Sequence, residues 1–316
     1  MIKQRLLSAL GGLLILIAAT WAGSLPFFVF MSVVLVLAVR EFRPFLPRQM
    51  SLDFLLLPLL SVLFFLSIYL QSWIRVESNQ LQSSQLSSNQ LTSSLSLNIS
   101  WLQPYLNIET DLFQFGLNSE LISVVNLPVL VLLASILILV LVHIREHSYK
   151  NILIRVSSRI FMIFYLAGGL SFLFLLRDYS QDGFHNTRAL WLVLAATWLT
   201  DTGAYFSGNW FGSRPMAPVI SPKKTIAGGI GGVLFSVFAV SVYLLLLGNF
   251  SLRWLLLAPL ISLAAVAGDL FESCLKRDAD IKDSGEILPG HGGILDRFDS
   301  LLFSAPLTYY ILIFLI

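Results

Sequence analysis

Charge is what this chain has least of. Only 12% of its 316 residues are Asp, Glu, Lys or Arg, against about a quarter in an ordinary soluble domain. With 56% hydrophobic residues and a mean hydropathy of +0.81, the composition is that of a protein of the bilayer, not of water. Cysteine is almost missing: Cys274 stands alone, which excludes an intrachain disulfide. The net charge is +2 and no basic tail is present, so nucleic acid is not an expected partner. Lys3 and Arg5 precede an apolar run in the manner of a secretory leader, but no small-residue cleavage site follows. That run is expected to stay as a first helix.

Apolar runs are what the chain has in quantity. A membrane-spanning helix needs roughly 17 to 25 such residues, and nine candidates lie at about 6–22, 25–41, 54–73, 122–143, 159–176, 189–207, 226–247, 253–271 and 300–316. The expected fold is therefore all-α: a polytopic helical bundle in the membrane with about nine transmembrane helices. Ala22 to Pro26 make a turn tight enough to pair the first two helices, and Gly168-Gly169 mark a place of close helix approach. Residues 1–74 hold helices one to three, 75–120 form a polar linker, and 121–316 hold helices four to nine. The linker is rich in Ser, Gln, Asn and Leu; it cannot bury a core and reads as mobile, a weak surface helix being the lesser alternative. Under a nine-helix alternation, 16 of the 20 Lys and Arg residues fall on one side. The positive-inside rule then puts the N-terminus in the cytoplasm, the C-terminus and linker outside, and the loops 208–225 and 272–299 together in the cytoplasm.

Three blocks carry chemistry. Asp201 sits inside helix six, where an unpaired carboxylate is expensive and usually functional. Ser221-Pro222-Lys223-Lys224-Thr225 leads into the Gly-rich start of helix seven and offers hydroxyls, ammonium groups and free N–H groups, a combination suited to phosphate. The third block, Gly268 to Ser300, holds eight of the 18 acidic residues. If helix eight continues past Gly268, Asp269, Glu272, Ser273 and Lys276 share one face. Asp296 and Asp299 flank Arg297 at the entrance to helix nine. Carboxylates converging from two helix ends suit oxygen-loving cations such as Mg²⁺, with Lys276 and Arg277 meeting an anionic substrate. His291, between Gly290 and Gly292, has either a phosphate or a structural role.

At these residues the chain resembles the bacterial CDP-diacylglycerol synthases, or phosphatidate cytidylyltransferases. Ser273, Lys276, Arg277, Lys282, Asp283, Gly285, Leu288, Pro289, His291, Gly292, Gly293, Asp296, Arg297 and Asp299 occupy every fixed position of that family's diagnostic pattern. Asp201-Thr202-Gly203-Ala204-Tyr205 and Ser221 to Thr225 also look like recurrent family segments, although Ile226-Ala227 stand where the family often has a bulky residue and then Glu or Gln. The likeness covers about 155–316; the N-terminal half matches only as an apolar, helix-rich region.

The resemblance implies an enzyme of the bacterial cytoplasmic membrane. It would convert CTP and phosphatidate to CDP-diacylglycerol and pyrophosphate, with its site on the cytoplasmic side. It implies Asp269 and Asp296 as principal metal ligands, assisted by Asp299 and Asp283, for Mg²⁺ and room for a second cation such as K⁺. Ser221, Lys223, Lys224 and Thr225 would hold the CTP phosphates, and Lys276 and Arg277 the phosphatidate headgroup. Arg297 and His291 would join the catalytic group, and Asp201 would orient the nucleotide or complete the metal shell. The lipid bilayer is an expected partner, and a homodimer is left open. The alternatives are CTP transfer to, or phosphorylation of, an ether lipid or polyprenol, and a cation-coupled transporter using Asp201 and Asp269.

Overall fold

The computed structural model describes residues 2–47, 52–85, 126–145, 151–180, 187–248, 255–287 and 292–314, with side chains described from Leu10 onward and not for 75–85. Two helices open the chain, α1 (Ile2–Ala22) and α2 (Ser24–Phe42), joined at Gly23. Its φ of 126° is open to glycine and strained for other residues, so the turn predicted there closes on a single residue. Next come α3 (Asp53–Gln85) and α4 (Leu127–Arg145). The long α5 runs from Ile152 to Arg177 and contains a π turn at Phe164–Gly168. Then follow α6 (Arg188–Phe211), a hairpin of β1 (Pro215–Ala217) and β2 (Ser221–Thr225), α7 (Ile226–Leu246) and α8 (Leu257–Asp278). A one-turn α9 (Leu295–Phe298) and α10 (Leu301–Phe314) complete it.

All nine predicted apolar runs contain a helix, with three changes of extent. α3 continues to Gln85, into the segment expected as a linker; the rest of that segment, 86–120, lies outside the described residues. α5 starts at Ile152, ahead of its apolar stretch, because Arg155 and Arg159 are buried in its first turns. α8 runs on past Gly268 to Asp278, so its four polar residues do share a face. Among the described residues, six helices are long and apolar enough to cross a membrane, in α2, α3, α4, α5, α7 and α8. α10 has only 14 described residues, and α6 carries Arg188 and Asp201 in its 24. The protein is an integral membrane protein. On α4 the stripe Leu130, Leu133, Leu137 and Leu141 is exposed while Ser135, Leu139 and His143 are buried, the reverse of a soluble helix and the pattern of one facing lipid.

The loop expected at 208–225 contains the only sheet among the described residues. β1 and β2 pair antiparallel, with Pro215 opposite Thr225 and Ala217 opposite Ser221. Pro222 is compatible with this two-stranded edge and would break a helix.

Polar contacts sort the helix ends into two levels. At one level Ser24 Oγ donates to Asp178 (2.6 Å), the Leu127 N–H to Gln71 (3.1 Å), Tyr179 to the Leu312 carbonyl (3.1 Å) and Tyr243 to the Arg188 carbonyl (2.8 Å). At the other, Arg159 meets Asp53, Glu41 meets Leu295, and Lys224 meets Asp269. Successive long helices therefore alternate in direction. Phe28, Phe65, Tyr69 and Phe174 interleave at centroid distances of 4.5 to 6.4 Å and hold α2, α3 and α5 together.

α6 and α7 cross on glycine. A Cβ on Gly203 would lie 2.6 Å from Phe235, one on Gly232 would lie 3.0 Å from the Thr200 carbonyl, and one on Gly231 would overlap Ser207. The glycines at the start of α7 are thus packing residues. Gly231→Val is expected to cost about 1–3 kcal/mol through overpacking. Gly11→Val, whose Cβ would enter open space, should stay within about 0.5 kcal/mol. Thermal unfolding of the two variants in detergent checks this.

Candidate active site

β2 delivers the first group of side chains. Thr225 is extended (φ −112°, ψ 155°) and caps α7, its Oγ1 accepting from the Gly228 N–H at 3.1 Å. It is also wedged against Gly212, where a Cβ would lie 2.6 Å from Oγ1. One of its two acceptor sites is used on the helix, and its O–H remains to donate. Lys224 turns to α8, with Nζ 2.6 Å from Asp269 Oδ2 and donating to Ser273 Oγ at 3.5 Å. Lys223 stays exposed and Ser221 is half-buried. The strand thus separates Lys224 from Lys223, which the sequence reading had taken as one group.

The second group comes from α8 and the turn through α9. Lys276 Nζ lies 2.7 Å from Asp296 Oδ1 and 3.1 Å from Glu272 Oε1. Glu272 is fully buried, with the Lys276 ammonium as its charged neighbour. Asp296 also accepts from the Gly293 N–H at 2.9 Å and the Ser284 N–H at 3.2 Å. Burial alone would raise the Asp296 carboxyl. The hydrogen bonds from Lys276, Glu272 and Gly293, with the Lys276 charge, outweigh that and hold it below the usual carboxylate range. In this arrangement Asp296 ties the loop to α8.

Asp299 lies where α8 passes closest: a Cβ on Gly268 would be 2.5 Å from the Asp299 carbonyl, which explains why a glycine precedes Asp269. Burial, then the charges of Asp269 and Asp201, push the Asp299 carboxyl up to about 7, although the Ser300 N–H donates to it at 2.6 Å. Lys224 and Arg297 place positive charge near Asp201. Three carboxylates from α6, α8 and the α9–α10 turn thus crowd one another. Asp201, Asp269, Asp296, Asp299, Lys224 and Lys276 are brought together, with Arg297 beside them.

Other expected residues are not. Arg277 donates to the Ile220 and Ile281 carbonyls, at 3.2 and 3.3 Å, and so braces the hairpin turn. Asp283 is exposed on its loop. His291 lies outside the described residues. Glu41, at the end of α2, was not anticipated: it accepts from the Leu295 N–H at 2.8 Å. Its one signal in the sequence is an acid at the end of an otherwise apolar helix.

Mg²⁺ can be tested against this donor set. Among the described residues, no group of three or more His, Cys, Asp or Glu side chains is arranged to hold a metal ion. The chemistry of the set nevertheless fits a hard cation. Its carboxylates repel one another, and Glu272 is a fully buried acid among them.

A family model described as the cytidylyltransferase family matches residues 3–315. The chain belongs to the cytidylyltransferase family. Among its relatives, a phosphatidate cytidylyltransferase of Staphylococcus haemolyticus is 47% identical over 148 residues, 46% of this chain and 55% of the relative. One from Staphylococcus aureus strain COL gives the same identity and coverage. One from Synechocystis is 45% identical over 132 residues, 40% of this chain and 43% of the relative. The chain thus spans about half the length of the curated relatives it matches. The family match extends through the N-terminal half, which the sequence reading had likened to the family only in being apolar.

Proposed function

We propose that this protein transfers the cytidylyl group of CTP to phosphatidate, giving CDP-diacylglycerol and pyrophosphate. The observation that carries the reading is the pair of lysines, Lys224 and Lys276, held over carboxylates where α8 meets the hairpin and the α9 turn. A phosphate oxygen of the lipid would form a bond to the α-phosphorus of CTP as the bond to the bridging oxygen breaks. That nucleophile is already anionic at neutral pH, so no strong base is required. The work is alignment and neutralisation of repelling phosphates. Lys224, with Ser221, Lys223 and the Thr225 O–H, would hold the triphosphate; Lys276 would meet the lipid phosphate, with Arg297 and Asp201 at the far side. Asp269, Asp299 and Asp201 would hold Mg²⁺, which supplies charge stabilisation for the transferring phosphoryl group.

A place for the acyl chains is at hand. A cavity of about 1340 Å³, mostly apolar, is walled by the α1–α2 turn, α3, α5 and α10 and reaches Tyr165 and Phe303 beside the Asp299 turn. Among the described residues the buried Tyr165 hydroxyl has no hydrogen-bond partner, and it would meet a headgroup oxygen. Nine crossings with the site on the cytoplasmic side of the bacterial inner membrane accord with the alternation of helix ends and the 16-to-4 split of basic residues. A transporter is disfavoured because the carboxylates gather at one end of the bundle and not at its middle.

The test is incorporation of cytidine-labelled CTP into lipid by purified protein with phosphatidate and Mg²⁺. Label should enter lipid with one pyrophosphate released per lipid made. Lys224→Gln should lower kcat/KM for CTP by about 10²-fold, the usual effect of removing one charge-stabilising contact. A folded protein that labels polyprenyl phosphate but not phosphatidate would overturn the choice of acceptor.

A further inference from the structure

We propose that Glu41, on the second helix of the chain, is a positioning residue for the loop between α8 and α9. Its side chain is buried, 5% exposed, at the end of a helix whose neighbouring positions Ala38, Val39 and Phe42 are apolar and buried. A carboxylate there is costly unless something holds it. What holds it is the loop. Oε2 accepts from the Leu295 N–H at 2.8 Å, and Ser284 Oγ donates to the same oxygen at 3.5 Å. Leu295 is the first helical residue of α9, so its N–H has no acceptor within that helix.

The loop is shaped to close on this carboxylate. A Cβ on Gly285 would lie 2.6 Å from Glu41 Oε1, and one on Gly293 would lie 2.7 Å from Oε2. A larger residue at Gly285 would press on the Glu41 side chain, and one at Gly293 would also meet Ser284 and the Gly285 backbone. Ser284 and Gly293 are also the residues whose N–H groups donate to Asp296. Two acids, one from α2 and one from α9, therefore both hold Ser284, Glu41 taking the Leu295 N–H as well and Asp296 the Gly293 N–H. Asp296 passes the connection to Lys276 on α8. Displacing Glu41 would free the loop and, through Asp296, loosen the Lys276 ammonium. The N-terminal helix pair is on this account part of the site's scaffold as well as of the membrane domain.

The experiment compares the full-length protein with Glu41→Ala and Glu41→Gln in detergent, by amide hydrogen exchange and by turnover. Glutamine keeps an acceptor oxygen for Leu295; alanine does not. Glu41→Ala should speed exchange about tenfold or more in peptides covering 284–287 and 292–298 while those of α3 and α5 keep wild-type rates, the pattern of a local opening. Turnover should fall about tenfold or more in Glu41→Ala with the KM for CTP nearly unchanged, since misplaced groups cost rate. Glu41→Gln should keep both within about threefold of wild type, as a retained acceptor predicts. Equal speeding of exchange in every helix of Glu41→Ala would make Glu41 an ordinary core residue and overturn the proposal, as would unchanged loop exchange. Only the turnover arm rests on the cytidylyltransferase reading. Loop-specific exchange in a protein whose wild type makes no CDP-lipid would leave the positioning role standing and remove that reading.

Discussion

Asp296→Asn is expected to reduce the proposed cytidylyl transfer by about 10²-fold or more, the cost typical of a lost charge-stabilising group, and to weaken the fold around it. Both oxygens of Asp296 act as acceptors, for Lys276 on one side and for the Gly293 and Ser284 N–H groups on the other. Asparagine offers one acceptor oxygen and an NH₂ that must face either an ammonium or an amide donor. The fold effect has a pH signature. Because the folded protein holds the Asp296 carboxyl below its ordinary value, its stabilisation is fully present above an unfolded value of about 4 and is lost as pH falls through the lower folded value. The melting temperatures of wild type and Asp296→Asn should therefore differ most at neutral pH and converge in acid. Asp299 works in the opposite sense. With its carboxyl raised to about 7, ionising it disfavours the folded state as pH rises from about 4 to 7. In detergent without divalent cation, Asp299→Asn should gain melting temperature relative to wild type as pH rises from about 4 to 7, whereas the deficit of Asp296→Asn should hold steady over that range and shrink only below about pH 4. An Asp299→Asn curve parallel to wild type from about 4 to 7, or an Asp296→Asn deficit that persists in acid, would overturn the corresponding assignment.

The largest loss of stability is expected from Asp53→Ala. Asp53 begins α3, and its two oxygens receive Arg159 Nε at 2.8 Å and Nη2 at 2.6 Å from α5. Arg159 is fully buried and Asp53 is 1% exposed. Removing the carboxylate takes two charge-assisted hydrogen bonds from a fully buried guanidinium. Breaking one partner of such a buried pair costs about 3–5 kcal/mol, whereas replacing both with apolar residues is often neutral. Asp53→Ala should thus melt far below wild type or fail to accumulate, and Asp53→Leu with Arg159→Leu should recover most of the loss. A double variant as unstable as the single one would show that the stranded guanidinium is not the source of the loss.

Much of this fold can be read from apolar runs, because a membrane helix announces itself by length and composition alone. The close approach at Gly168-Gly169, the one-residue turn at Gly23 and the shared face of Asp269, Glu272, Ser273 and Lys276 are all local patterns, legible within a few turns of chain. What the sequence concealed is of two kinds. Gly228, Gly231 and Gly232 look like a phosphate-binding helix start, but their neighbours Ala204, Ser207 and Thr200 sit on another helix that no local pattern names. Glu41 is separated from Leu295 by 254 positions, so its role appears only once α2 and α9 are seen to meet. The acidic segment is where the structure brings carboxylates and lysines together. Its individual roles were harder to read, because an Asp that accepts from a loop and an Asp that waits for a ligand have the same letter.

The lysines of the proposed site already have counterions of their own. Lys224 rests on Asp269 and Lys276 on Asp296, so the pocket is arranged like an ion-exchange resin with its fixed charges loaded. An arriving phosphate would gain only the difference between a new salt contact and the one it displaces, which would favour exchange over tight retention and, in the proposed reaction, let pyrophosphate leave. Each exchange also uncovers a carboxylate, and an uncovered carboxylate is what a hard cation prefers. Anion and cation would then make room for each other. Neither would load well alone, and by linkage each would raise the other's affinity by the same factor.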